Sequence, residues 1–321
     1  MNKKADAIII GAGVIGSSVA FELAKRGYKT LNIDKLPTSG YGSTSNSCAI
    51  VRAHYSTWDG VAMAYEGFFY WDDWANYLGV EDERGMIKYM KTGSIMFKLQ
   101  GEDHSKKSLK YFEEIGVEHE IWDLEKLKER MPIYSHDQFD GTTRPDEDDH
   151  FFDKTGKVIE GAIFTPGSGY VSDPQLSSHN LQVAAEANGG EFLFNNEIKE
   201  IRQENGKVLG VTLKTGEQID APIVVNVAGP HSFVINRMAG VEEEMNIKTK
   251  ALRHEVHHVP SPEGFDFEKD GLHTSDGDNG IYFRPETGNT ILIGSEDPQC
   301  DPKEWIEDPD NYNNEVTESQ W

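Results

Sequence analysis

The chain has 321 residues, enough to bury a sizeable core and about two domains by length. Its 55 acidic residues against 31 basic ones give a formal charge of −24, which argues against nucleic acid or an anionic membrane surface as a partner. Cys48 and Cys300 make neither a disulfide framework nor a metal set, and no apolar run approaches the roughly 18 residues of a membrane span. With no signal-like N-terminus either, the expectation is a soluble, cytoplasmic protein without a metal.

The first predicted unit is Ala7 to Lys35. Ile8, Ile9 and Ile10 form a β-branched run, as in a strand buried on both faces of a parallel sheet. Gly11, Gly13 and Gly16 follow as G-x-G-x-x-G. The first glycine permits a tight turn, the second lets a pyrophosphate approach the backbone, and the third lets a helix pack close to the strand. That helix opens near Val14 and aims free N–H groups at the phosphate. Val19, Ala20, Leu23 and Ala24 suit its packed face, and Gly27 its stop. A second strand, Thr30 to Ile33, ends at Asp34, eighteen residues after Gly16 and placed to meet a ribose hydroxyl. An acid there repels a 2′-phosphate, so FAD or NAD is expected rather than NADP.

Residues 37–46 (PTSGYGSTSN) read as a loop that either wraps a cofactor or covers ordinary surface. Arg52 and His54 follow in an apolar and aromatic setting. Met63, Phe68, Trp71, Trp74 and Leu78 predict one packed amphipathic helix over 60–78. Ile95 to Leu99 reads as a strand, and Ser105 to Glu114 and Leu124 to Arg130 as surface helices. Residues 135–160 are polar and turn-rich, with Asp146–Asp149 read as a solvated loop.

Order returns at Gly161 to Asp173, and Pro174 to Ala187 is helical. Phe192–Phe194, Ile198–Arg202, Val208–Lys214 and Gln218–Ala221 predict a β-meander, with turns at Asn205-Gly206 and Thr215-Gly216. Pro222 to Ala228 reads as another buried parallel strand, running into Gly229 and a helix, Phe233 to Met238. Thr249–Val259, Gly280–Arg284 and Thr290–Ile293 look like antiparallel strands. From Asp297 the chain is polar, with no closing element expected before Trp321. His254-Glu255-Val256-His257-His258 satisfies H-E-x-x-H, but that zinc chemistry needs one helix face, and the context here is strand-like.

Taken together, GAGVIGSSVA, the acid at Asp34, GSTSNS, IVRAHYS, TPGSGYVSDP, VVNVAGPHS and NGIYFRP resemble the D-amino-acid oxidase superfamily of flavoproteins, from about residue 6 to about residue 298. Within it the sequence is most similar to sarcosine oxidase of the β-subunit type and to dimethylglycine dehydrogenase. The resemblance implies an α/β fold with a Rossmann-type, glutathione-reductase-like FAD-binding domain. It implies a second domain, an antiparallel β-sheet plus helices, for substrate. The expected boundaries are 1–90 with 155–240 for the FAD domain, and 91–154 with 241–321 for the substrate domain.

It also implies residue roles. Gly11, Gly13, Val14, Ile15 and Gly16 would cradle the pyrophosphate. Asp34 would hold the ribose, Lys35 would lie beside adenine, and Gly42, Ser43 and Ser45 would line the pyrophosphate and flavin. Ile198 would contact adenine through its backbone, and Ala228 and Gly229 would pack on the adenosine side. Arg52 matches an arginine that pairs with the substrate carboxylate, a role suited to a planar guanidinium; the competing reading is a structural ion pair. His54 and Tyr55 are pocket candidates.

Three departures qualify the resemblance. Ser47 stands where relatives attach flavin to a histidine, so the FAD is expected to be non-covalent there. Leu292 stands where sarcosine oxidase has the lysine that promotes reaction with oxygen, which favours a dehydrogenase passing electrons to another acceptor. Nothing matches the family's last glycine-rich strand–helix segment, so the expectation is a C-terminally truncated chain, a fragment of a longer gene product or one completed by a second subunit, which by itself binds FAD poorly. The resulting expectation is oxidation of the C–N bond of a small amino acid or N-methylated amine. The alternatives are a CH–OH substrate or a catalytically silent subunit.

Overall fold

The structure, a computed structural model, describes residues 3–139, 143–144, 146–318 and 320. Four parallel strands lie in the order Glu191–Leu193, Thr30–Ile33, Ala7–Ile10, Ile223–Asn226. Ala7 to Ile10 is central, and all four of its residues are buried. Each of its isoleucines contributes about 2 kcal/mol of transfer free energy. Helix Val14–Lys25 crosses to Thr30–Ile33 and buries Gly16, Ser17, Ala20, Phe21 and Ala24, packing on helix Pro174–Ala187. The second helix starts where it does because Asp173 accepts from Leu176 N–H and Pro174 occupies the first turn.

Two expectations are corrected here. Glu191–Leu193 joins this parallel sheet instead of the meander, because it follows a helical crossover and pairs beside Thr30–Ile33. Ile223–Asn226 is an edge strand and only half-buried. The meander itself is Ile198–Glu204, Lys207–Leu213 and Gln218–Asp220, joined to Lys3–Lys4. Its first turn has positive φ at both Asn205 and Gly206, the backbone that matches hairpin twist.

A seven-stranded sheet runs Val256–Pro260, Thr290–Ser295, Ile281–Glu286, His273–Asp276, Ser94–Leu99, Ile159–Thr165, Glu120–Asp123. All neighbours are antiparallel except His273–Asp276 with Ser94–Leu99. Strand His273–Asp276 was not foreseen; it is buried yet wholly polar. The sheet's two faces differ. Ile95, Phe97, Leu99, Phe283, Ile291 and Ile293 pack with Trp122, Leu127, Met131 and Phe267. The registers Ser94↔His273, Ser275↔Tyr282, Tyr282↔Gly294 and Arg284↔Leu292 put the polar residues on the opposite face.

The helix expected over 60–78 is two, Trp58–Asp72 and Trp74–Leu78, broken at Asp73. Phe68, Trp74 and Leu78 are buried as expected, whereas Met63 is 77% exposed. The strand expected over 249–259 splits into Ala251–Leu252 and Val256–Pro260, and the polar C-terminal stretch does contribute a strand, Trp305–Ile306, paired with Ala251–Leu252. His257 and His258 lie in a strand, and no metal-binding cluster occurs among the described residues. Parts of the polar 135–160 stretch, residues 140–142 and 145, lie outside the described residues, as does Trp321.

Candidate functional site

The glycine turn opens onto a cavity of about 400 Å³. Gly11, Gly13, Val14, Ile15, Asp34, Lys35, Gly42, Ser43, Ile198, Ala228 and Gly229 all line it. Eleven residues expected from five separate stretches of sequence therefore meet at one place. Gly11 sits at φ +105°, and a Cβ there would stand 2.5 Å from the Val227 carbonyl oxygen. Gly16 lies behind the cavity, where a Cβ would be 1.9 Å from the Gly11 oxygen; it lets helix and strand touch. Ser45 is not in the lining. Its hydroxyl donates back to the Gly42 carbonyl at 2.9 Å. Its neighbour Thr44 lines the cavity instead and accepts from Val14 N–H at 3.1 Å.

The residues present fit a dinucleotide. Asp34 is fixed by two backbone donors, Ala12 N–H at 2.7 Å and Leu36 N–H at 2.9 Å, which holds its carboxylate at the end of the second strand. The Val14 helix has no acidic residue in its first turn, its N-cap is Gly13, and Thr44 Oγ1 takes only the Val14 N–H, so its positive end faces the cavity with no charge against it. Ile15 is 65% exposed on the cavity wall, an apolar surface that a bound cofactor would cover.

A second cavity of about 470 Å³ shares Val14, Ser43 and Thr44 with the first. Arg52 and Tyr55 line it, with the guanidinium 5.4 Å from the Tyr55 ring centre. No carboxylate of the described residues lies within ion-pair distance of Arg52. Met63, Ala64 and Trp71 supply apolar wall. The Arg52 backbone is set by pairing of Ile50–Val51 with Gly169–Val171. Arg284, which sequence reasoning missed, pins the same segment. It is buried, donates from Nε to the Cys48 carbonyl at 2.6 Å and stacks 4.1 Å from the Tyr170 ring centre. The alternation Tyr282, Arg284, Glu286 carried that signal.

His54, expected as a pocket candidate, lines neither of these two cavities. It is buried, with Nε2 3.0 Å from Ser94 Oγ, and Ser94 Oγ is 2.6 Å from His273 Nδ1. Burial, with the Arg52 and His104 charges, holds His54 down at about 3, and burial holds His273 well below the usual histidine range. Both imidazoles are therefore held in the neutral form. Glu296 follows the strand that carries Leu292 and accepts from Ser275 Oγ at 2.5 Å; burial pushes its carboxyl up.

Residues 6–320 match the family described as FAD dependent oxidoreductase (DAO). The chain belongs to this family. The cofactor is FAD, and the glycine turn, the Val14 helix end and Asp34 in the cavity lining are residues suited to hold its dinucleotide part. The DAO chain is 24% identical over 299 residues to the mitochondrial pyruvate dehydrogenase phosphatase regulatory subunit of Mus musculus, covering 91% of this chain and 30% of that protein. It is 25% identical over 307 residues to glycine oxidase of Geobacillus kaustophilus, covering 92% of this chain and 71% of that one. In fold it is similar to L-proline dehydrogenase from P. horikoshii, with a TM-score of 0.73 at 22% identity over 92% of this chain and 70% of the other. The chain thus spans less than a third of the first relative's length and about 70% of the other two. No helix of the described residues is long and apolar enough to cross a membrane.

Proposed function

We propose that this chain is part or all of an FAD-dependent oxidoreductase that oxidises the C–N bond of a small amino acid or N-methylated amine. One observation carries the reading: Arg52 presents a guanidinium, with no carboxylate of the described residues in ion-pair distance, to a cavity that adjoins the dinucleotide cavity through Val14, Ser43 and Thr44. A planar guanidinium offers two parallel donors to a carboxylate. Bound FAD would supply the hydride acceptor, with imine formation and hydrolysis by water following. The chain's own residues do the positioning. The glycine turn and helix end take the pyrophosphate, Asp34 takes the ribose, Arg52 takes the substrate carboxylate, and Trp71 supplies apolar wall beside it. Leu292, on the polar face of the sheet opposite Arg284, leaves no cation at that position and favours an acceptor other than oxygen.

A second reading, a chain that keeps the cofactor fold without turnover, is favoured by the likeness to a regulatory subunit. The two separate in one experiment. The FAD-loaded protein is mixed under nitrogen with glycine, sarcosine, dimethylglycine and proline, then with 2-hydroxy acids and glycerol 3-phosphate. Flavin bleaching by an amine supports the proposal. Bleaching by a hydroxyl compound alone moves the chain to the CH–OH class. Bound flavin that nothing bleaches supports the silent reading.

A further inference from the structure

The dinucleotide cavity has an unexpected wall. Glu307, Asp308, Pro309 and Asp310 line it, and they come from the polar C-terminal stretch. This strap is tied at both ends to the same segment. On one side Trp305–Ile306 pairs with Ala251–Leu252. On the other, Arg253 Nε donates to the Asn313 carbonyl at 2.6 Å, and Thr317 Oγ1 donates to Glu255 at 2.6 Å. Between the ties, Pro309 is buried while Asp308 and Asp310 on either side are exposed, so the proline is the part pressed inward.

Charge makes this wall consequential. The cavity is lined by five carboxylates, Asp34, Glu197, Glu307, Asp308 and Asp310, against a single lysine, Lys35. The strap supplies three of the five. Asp310 also takes that lysine: it forms an ion pair with Lys35 Nζ, and its Oδ1 lies 3.1 Å from His231 Nε2. The Lys35 hydrogen bond holds the Asp310 carboxyl below the usual range, so the latch stays ionised. A dinucleotide brings two phosphate charges to a site where like charges repel at short range.

We propose that the Glu307–Asp310 strap is an autoinhibitory latch that competes with FAD for the dinucleotide cavity. Seating FAD requires Asp310 to release Lys35 and the strap to lift from the cavity. The inference rests on the FAD reading above and adds a control on loading.

The test is FAD binding by fluorescence quenching, read as Kd and association rate. Three proteins are compared: the native chain, the strap variant Glu307→Gln/Asp308→Asn/Asp310→Asn, and a control, Glu102→Gln/Glu113→Gln/Glu118→Gln. The control changes net charge equally at exposed sites distant in sequence. Circular dichroism checks the fold, and the single Asp310→Asn variant stands in if the triple one misfolds. Expected is a Kd lower by about fivefold or more in the strap variant, the lower end of ordinary site–site coupling, with faster association and little change in the control. Between low salt and about 0.3 M, association should speed up more for the native chain than for the strap variant, because screening weakens the latch. Equal or weaker FAD binding in the strap variant overturns the latch while leaving the FAD reading intact. FAD binding by none of the three overturns both.

Discussion

The carboxylate of Asp34 accepts a hydrogen bond from the backbone N–H of Ala12 at 2.7 Å, tying the end of the second strand to the middle of the glycine turn. The two features that the sequence pattern treats as separate, turn and ribose acid, are therefore one mechanical unit. Asp34→Ala should loosen the turn and, on the proposed role of Asp34, remove the ribose acceptor together. Hydrogen bonds to a charged group are worth about 1.5–3 kcal/mol, so FAD affinity should fall roughly 10- to 100-fold in a quenching titration. Asp34→Asn keeps an acceptor for the Ala12 N–H and should lose less. Equal affinity in all three would remove Asp34 from the site.

Gly16→Ala should damage the fold rather than cofactor contact alone. The added Cβ would stand 1.9 Å from the Gly11 oxygen, a backbone atom that cannot move without shifting the central strand. The cost should be roughly 1–3 kcal/mol or more, read as a lowered thermal midpoint of the FAD-free protein. An unchanged midpoint would show that helix and strand have room to separate.

The His54–Ser94–His273 chain should make the fold sensitive to mild acid. In the unfolded chain each histidine titrates at about 6.5. In the folded chain His54 is held at about 3 and His273 well below its ordinary value, so protons bind the unfolded state first. Stability is then complete above pH 6.5 and declines as pH falls below it, by about 1.4 kcal/mol per pH unit for each histidine. The groups facing them, Arg52, His104 and Arg284, oppose charging further. Asp276 and Glu296 act oppositely, because burial raises them and they take up protons in the folded chain. The histidine effect is therefore cleanest between pH 6.5 and about 5. Urea midpoints across that range should fall with pH, and fall less in His273→Gln. A flat native profile would contradict the assignment.

What the sequence made legible was local. Ala7–Lys35 shows its strand, turn, helix and acid because each obeys its own period and they are contiguous. Helices Leu124–Arg130 and Pro174–Ala187 appear at the expected bounds because caps and a leading proline mark them. What stayed hidden depends on distant partners. Strand His273–Asp276 has no apolar alternation, since its buried polar groups are satisfied by residues such as Ser94 and Tyr134, over 130 positions away. His54 looked available beside Arg52; its partners Ser94 and His273 draw it into the interior. Ser45 and Thr44 are adjacent hydroxyls in one loop, and loop geometry, invisible in composition, selects the threonine. The strap over Lys35 reads only as polar chain with no closing element until Asp310 is seen across the cavity.

The most direct test of the account is the rate of flavin reduction, followed by stopped flow under nitrogen, in the FAD-loaded native chain and in Arg52→Ala, as a function of amino-acid concentration. The account predicts reduction by at least one carboxylate-bearing amine in the native chain. In the variant, flavin content should be unchanged and half-saturation should shift roughly 10- to 100-fold upward, as for loss of a charged hydrogen bond. Identical concentration dependence in the two proteins, or reduction by hydroxyl compounds and no amine, would contradict it.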